Sequence, residues 1–385
     1  MRTEVVVAGL GSMGAAAARE LALRGVRVVG IDRFTPPHSR GEHTGGSRII
    51  RSAYAEGQAY VPLVRRAYEL WRSFGDDLLT MSGGLNLGLP DSATVSGALA
   101  SARAYGLAHE LLDAPEIRHR FPPLHPADDE VGVFEAEAGI VRPEAAIARW
   151  LADAARADAS LVYGRVVTGW RPAAEGVEVE LADGEHIHAD HLVVAPGPWA
   201  ADLLGEVLAG AVRVESRIQH YWVSPPGFRP GRFPVWIWEP PDDVVAYGMP
   251  AFDAPPGGGV DATRPVVKAA FHHVDQPADP DVGAPDATCD DVEAITAWLR
   301  QRIPALAVAP ASGTKPCLYT LTPDEHFLLG PHPVAPAAVS VAAGFSGHGF
   351  KFAPVIGEIL ADLAQQGHTR HDIALFDPLR FSPRG

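Results

Sequence analysis

The sequence predicts an α/β (α+β) fold, a Rossmann-like nucleotide domain joined to an antiparallel-sheet domain, and three observations carry that expectation. The first thirty residues read as strand, glycine turn, helix, strand. Between residues 217 and 273, β-branched and aromatic runs are broken repeatedly by Pro and Gly. The length, 385 residues, exceeds what one hydrophobic core supports, so two domains are expected.

The opening unit is "EVVVAGLGSMGAAAARELALRGVRVVGID", residues 4–32. Val5 to Ala8 form the unbroken apolar run that a strand buried on both faces requires. Gly9, Gly11 and Gly14 follow in G-x-G-x-x-G spacing, with Ser12 and Met13 inside it, and an Ala-rich helix comes next with Gly25 as its cap. The glycines serve a tight turn, close approach of a pyrophosphate to the backbone, and packing of helix on strand. A second strand is predicted from Val26 to Ile31, and Asp32 ends it where a carboxylate holds a ribose hydroxyl. Glycines in a turn are often only turn formers; here strand, helix and terminal acid all stand in place. The motif does not separate FAD from NAD.

Residues 33–71 are a polar, glycine-rich excursion with paired arginines that leads into an amphipathic helix from about Tyr60. Residues 159–200 alternate polar and apolar through short strands and end in the buried run "HLVVAPG". "RIQHYWVSPP", "PVWIWEP", "VVAYGMPAF" and "PVVKAAFHH" then read as strands of an antiparallel sheet. The lysine in the last of these, Lys268, is costly in an apolar strand unless it is paired or solvated. In "GHGFKFAP", Gly347 and Gly349, with Gly344 just before, allow backbone to approach a ligand, and Pro354 suits the first turn of the helix that follows.

Acidic residues outnumber Lys and Arg by 47 to 32, a formal charge of −15, which argues against nucleic-acid and anionic-membrane partners. No run of 18 apolar residues and no basic-then-apolar leader is present, which predicts a cytoplasmic protein. Two cysteines, Cys289 and Cys317, are too few for a disulfide framework or a four-Cys metal site, and no metal is expected. By itself Cys317 reads as a buried spare thiol.

Three blocks carry a family resemblance. "PPHSRGEHTGGSRIIRSAYAEG" (36–57), "CLYTLTPDEHFLLG" (317–330) and "AAGFSGHGFKFAPVIGEILADL" (342–363) resemble, in this order, segments of the monomeric sarcosine oxidase and N-methyltryptophan oxidase family, within the D-amino acid oxidase superfamily of FAD-dependent amine oxidases. The likeness runs essentially end to end. It implies a discontinuous FAD-binding domain (1–82, 146–213, 310–385) with a substrate domain inserted as 83–145 and 214–309. It also implies a monomer that oxidises a secondary amino acid, N-methyl or cyclic, with O2 as acceptor; a flavin amine dehydrogenase or a biosynthetic imino-acid oxidase is the alternative.

Roles follow by resemblance. Cys317 matches the residue whose sulfur bonds the flavin, so FAD is expected to be covalent. Arg51 and Lys351 match the pair that holds the substrate carboxylate, and Lys268 the lysine that activates O2. Arg48 matches an arginine on the other flavin face, and Tyr247, His272 and Tyr319 shape the substrate pocket; His272 and His273 read equally as ordinary core or surface histidines. Further FAD contacts are expected from Arg33, His43, Thr44, Val166 (through its backbone), Gly344, Gly347, His348, Gly349 and Phe350. Where relatives have "SHHGD", this chain has "EHTGG" (42–46), placing Thr44 for a histidine and Gly46 for an acid. The longer stretch "DAPPGGGVDATRPVVK" makes the pocket rim non-transferable.

Overall fold

The apolar run at the N-terminus becomes β1 (Arg2–Ala8), the Ala-rich segment α1 (Ser12–Leu23), and the next run β2 (Val28–Asp32) in a computed structural model that describes residues 2–241, 244–255, 260–272 and 276–381. β2 starts two residues later than the expected Val26 and takes in Asp32. β1 lies between parallel neighbours, β2 and the strand His186–Val194, and is buried on both faces. An eight-stranded sheet grows from this core through parallel Ser160–Tyr163 and Val339–Ala343, with an antiparallel wing of Val167–Pro172 and Val177–Leu181. α1 packs between the helices Pro143–Arg156 and Ala353–Gln366, where it buries Ala15, Ala18 and Leu21.

Gly14 shows why the helix sits so close to the strand. A Cβ there would stand 1.8 Å from Gly9 O, so any side chain would push α1 off the turn it opens from. This is the packing role the third glycine of the motif predicts.

A second eight-stranded sheet runs in the order Ala311–Leu321, Arg213–Val223, Val266–Phe271, Ala246–Phe252, Val235–Glu239, Gly84–Gly88, Val131–Glu135, Glu110–Asp113. The aromatic runs expected to be strands between 217 and 273 lie in four of these. The sheet is antiparallel except at one pair: Val235–Glu239 runs parallel to Gly84–Gly88. A parallel step was not expected. It arises because those two strands come from distant parts of the chain, with no hairpin between them to reverse direction. Ala311–Leu321 pairs with Arg213–Val223 over nearly its whole length, so "KPCLYTL" is an edge strand of this sheet. Trp236, Trp238 and Trp298 pack together in a core of this sheet, stacked or edge-on at 5.6–6.5 Å.

Candidate active site

The glycine turn, the end of β2 and the C-terminal loop meet around one long cleft of about 1170 Å³ of empty space, counting the part open to solvent. Gly9, Gly11, Ser12, Met13, Asp32, Arg33 and Val166 line one end; Arg48, Tyr319, Gly347, Gly349 and Phe350 line the other, with His43 also on the wall. At the first end α1 starts at Gly11 without a side-chain cap and without an acid in its first turn, which leaves N–H groups and positive potential facing the cleft. Asp32 is buried; its oxygens accept the N–H of Leu10 at 2.7 Å and of Phe34 at 2.8 Å. Burial raises its pKa against those hydrogen bonds. Arg33 lies 4.7 Å from the Trp199 ring and pairs with Asp281 at 2.8 Å, so the loop around 281 crosses the rim. Val166 O is taken by Ala182 N–H at 3.0 Å.

At the second end, three charged or polar side chains share two backbone carbonyls, Ser47 O and Glu42 O. Arg48 donates to Ser47 O at 2.8 Å and to Glu42 O at 2.6 Å. Fully buried Lys268 donates to the same Ser47 O at 2.6 Å. Cys317 Sγ is 3.7 Å from Arg48 and 3.6 Å from Glu42 O. Burial pushes the thiol pKa up and the Lys268 pKa well down, while Arg48 opposes the first and adds to the second. The Glu42 carboxyl accepts from Thr320 and is pushed up to about 7, chiefly by burial. His43, beside His38 on the cleft wall, is pushed down to about 3 by burial and nearby cations.

A second cavity of about 540 Å³ of empty space, again counting the part open to solvent, adjoins the first, sharing Arg48, Tyr319, Gly347 and Phe350 with it. Arg51, Tyr247, His272, His348 and Lys351 face it, together with apolar Ile49, Ile237 and Met249. Gly347 has φ +77°, and a Cβ there would lie 2.1 Å from the Tyr319 ring, so glycine lets that ring reach both cavities. The two expected cations meet at one aromatic ring: Arg51 is 4.8 Å and Lys351 Nζ 4.9 Å from the centre of Tyr54. Arg51 is not free. Its Nη2 donates to both oxygens of Glu56 at 2.7 and 2.8 Å, and Nη1 to Ala53 O at 2.9 Å. Burial alone would raise the Glu56 pKa, but Arg51, His348 and Lys351 hold it well below the carboxylate range. Lys351 is pushed down to about 7 by burial and by Arg51; its Nζ donates to His348 O at 2.7 Å. The His272 ring lies edge-on to Tyr247 at 6.1 Å and to Tyr319 at 6.0 Å.

Of the residues singled out in the sequence, Gly14, Thr44, Lys268, Cys317 and Gly344 line neither cavity. Cys317 and Lys268 stand directly behind Arg48, one layer back. Gly344, with φ +58°, makes the turn against Thr322. His273 and residues 256–259 of the long Pro- and Gly-rich stretch lie outside the described residues. Three acids were missed. Glu42 sits inside the departing "EHTGG" block, where attention fell on Thr44 and Gly46; Glu56 lies within the quoted arginine block. Glu144, in the first turn of the helix Pro143–Arg156, accepts the N–H of Gly45 at 2.8 Å and of Gly46 at 3.1 Å, so a carboxylate does stand against this turn, contributed from 98 residues away. Its only sequence signal is Pro–Glu at a helix start.

Comparison with known proteins gives a family and relatives. The family of FAD dependent oxidoreductases (DAO) matches residues 4–363. A monomeric sarcosine oxidase of Streptomyces avermitilis is 44% identical over 389 residues, covering 98% of each chain. An N-methyl-L-tryptophan oxidase of Escherichia coli O157:H7 is 35% identical, covering 99% of this chain and 100% of the relative. Among solved structures, NikD, described as an unusual amino acid oxidase essential for nikkomycin biosynthesis, superposes with a TM-score of 0.82 at 27% identity, covering 98% of this chain and 97% of that one.

Proposed function

The chain belongs to the family of FAD-dependent oxidoreductases, and from that premise we propose that it oxidises a secondary amino acid, N-methyl or cyclic, to an imine, with O2 reduced to H2O2. The observation that carries this is the junction of the two cavities at Arg48, Tyr319 and Gly347, with Arg51 and Lys351 meeting at Tyr54 in the second. The first cavity suits FAD by its chemistry: an uncapped helix start for the pyrophosphate, Asp32 for a ribose, and a long cleft leading to the second cavity. Its likeness to sarcosine and N-methyltryptophan oxidases supports the substrate class.

Bound FAD would supply the two-electron chemistry, accepting hydride from the carbon next to nitrogen and passing both electrons to O2. The protein's part is orientation and charge. Arg51 and Lys351 hold the substrate carboxylate, Arg with directed hydrogen bonds and Lys as a point charge. Tyr247, His272 and Tyr319 wall the amine side and set its approach. Lys268 and Arg48, joined through Ser47 O, place positive charge beside the cleft, favouring the reduced oxygen species as it forms. Water then adds to the released imine and splits it into aldehyde and amine.

Cys317 is proposed to carry the flavin through a thioether; its sulfur lies beside Arg48, which does line the cleft. The FAD-binding part is proposed to comprise 1–82, 146–213 and 310–385, with 83–145 and 214–309 forming the substrate part. The enzyme is proposed to work as a cytoplasmic monomer; likeness to a relative named monomeric sarcosine oxidase supports the monomer, and among the described residues no helix is long and apolar enough to cross a membrane. The test is an H2O2-coupled screen of N-methyl and cyclic amino acids with the purified yellow protein. Reduction of the flavin by an amine without H2O2 in air would make it a dehydrogenase instead.

A further inference from the structure

Behind Arg51 a small recess of about 210 Å³ of empty space, counting the part open to solvent, shares Ile49, Arg51 and Ile237 with the second cavity and reaches the second sheet at Asn86. Asn86 is the polar residue of the strand "GLNLG" and is 3% exposed. Its backbone neighbours across the sheet are Ile237 and Val133, so its side chain shares the sheet face of Ile237, the face that borders the cavity. Among the described residues its Oδ1 has no hydrogen-bond partner, and neither has Arg51 Nε, although both are buried. The carboxylate that lines the recess, Glu135, is already engaged by the N–H groups of Ser52 and Ala53 at 2.6 Å each.

A buried amide without a partner is unfavourable, and a leucine of nearly equal size would suit this strand better. We propose that Asn86 is the end of a side-chain subsite that selects substrates carrying a terminal carboxamide. This rests on the reading of the second cavity as the substrate site. The complementarity is specific: a carboxamide N–H donates to Asn86 Oδ1 while its C=O accepts from Arg51 Nε. Ile49, Ile237 and Met249 provide an apolar wall for the methylenes between. A site that hydrogen-bonds a polar group rejects the apolar isostere because its own buried groups then stay unpaired.

The experiment compares kcat/KM for N-methylglycine, N-methyl-L-glutamine and N-methyl-L-leucine in wild type and Asn86→Leu holoenzyme. Wild type should favour the glutamine derivative over the leucine derivative by about tenfold or more, and Asn86→Leu should reverse that order, with N-methylglycine changed less than about twofold in the variant. Equal rates on the two larger amines in wild type, or a ratio unmoved in the variant, would overturn the subsite. If Asn86→Leu does not fold, Asn86→Ser must lower the ratio by about tenfold, and retention of the wild-type ratio overturns the proposal. The same ratio is read from flavin absorbance changes on titration with the three compounds. If the protein oxidises none of them, the oxidase reading is decided by the wider screen that includes cyclic amino acids, whereas the titration ratio still decides the subsite.

Discussion

Replacing Glu56 by glutamine should tighten the binding of an amino-acid substrate. Glu56 takes both hydrogen bonds made by Arg51 Nη2, so a substrate carboxylate must displace it or sit beside it. Two carboxylates on one guanidinium are about 5 Å apart, and at an effective dielectric constant of about 20 they repel by roughly 3 kcal/mol. Glutamine keeps the size and one acceptor but removes the charge. Part of the gain is returned, because Arg51 keeps one acceptor from residue 56 in place of two and is less well positioned, which leaves about 1.4 to 2.8 kcal/mol, or a 10- to 100-fold lower KM. The assay sets an N-methyl amino acid against the matching amine without a carboxylate, in wild type and Glu56→Gln. Only the first should gain. An equal response of both amines, or weaker binding of the amino acid, would refute the view that Glu56 and the substrate compete for Arg51.

The pH dependence should follow Lys351. Its ammonium exists below about 7 and is lost above, so kcat/KM for a carboxylate-bearing amine should fall as pH rises through that value, and Lys351→Met should remove that limb. Lys268→Met, close in shape but neutral, should slow reoxidation of the reduced flavin by O2 far more than its anaerobic reduction; stopped-flow traces showing the opposite would make Lys268 a substrate residue. Acid precipitation should give a yellow pellet and a mass one FAD higher for wild type and for Cys289→Ser, but a white pellet for Cys317→Ser. All flavin in the wild-type supernatant would return Cys317 to the role of a buried spare thiol.

The nucleotide end of this protein was legible in the sequence because its geometry is local. Three glycines, a buried apolar strand and a terminal acid lie within thirty residues, and backbone sterics leave such a stretch one way to fold. The aromatic runs were legible as strands for the same reason, since alternation and Pro–Gly breaks are read residue by residue. Their partners were not. The parallel step between 84–88 and 235–239 joins residues about 150 apart, and no local rule specifies it. Charge pairing behaved likewise. The arginine block announced Arg51 as a cation, yet only packing brought Glu56 back onto it and made it a contested one. Glu144 reaches the Gly45–Gly46 turn, and Asn86 comes to lie behind Arg51, through long-range assembly of the sheet and helices. Lys268 and Cys317 stand a layer behind the cavity wall for the same reason. Residue identity and local spacing thus decide which chemistry is available, while burial and neighbours from distant segments decide which of those groups are free, paired or shifted in pKa, because charge and hydrogen-bond energies depend on separation and surroundings in space.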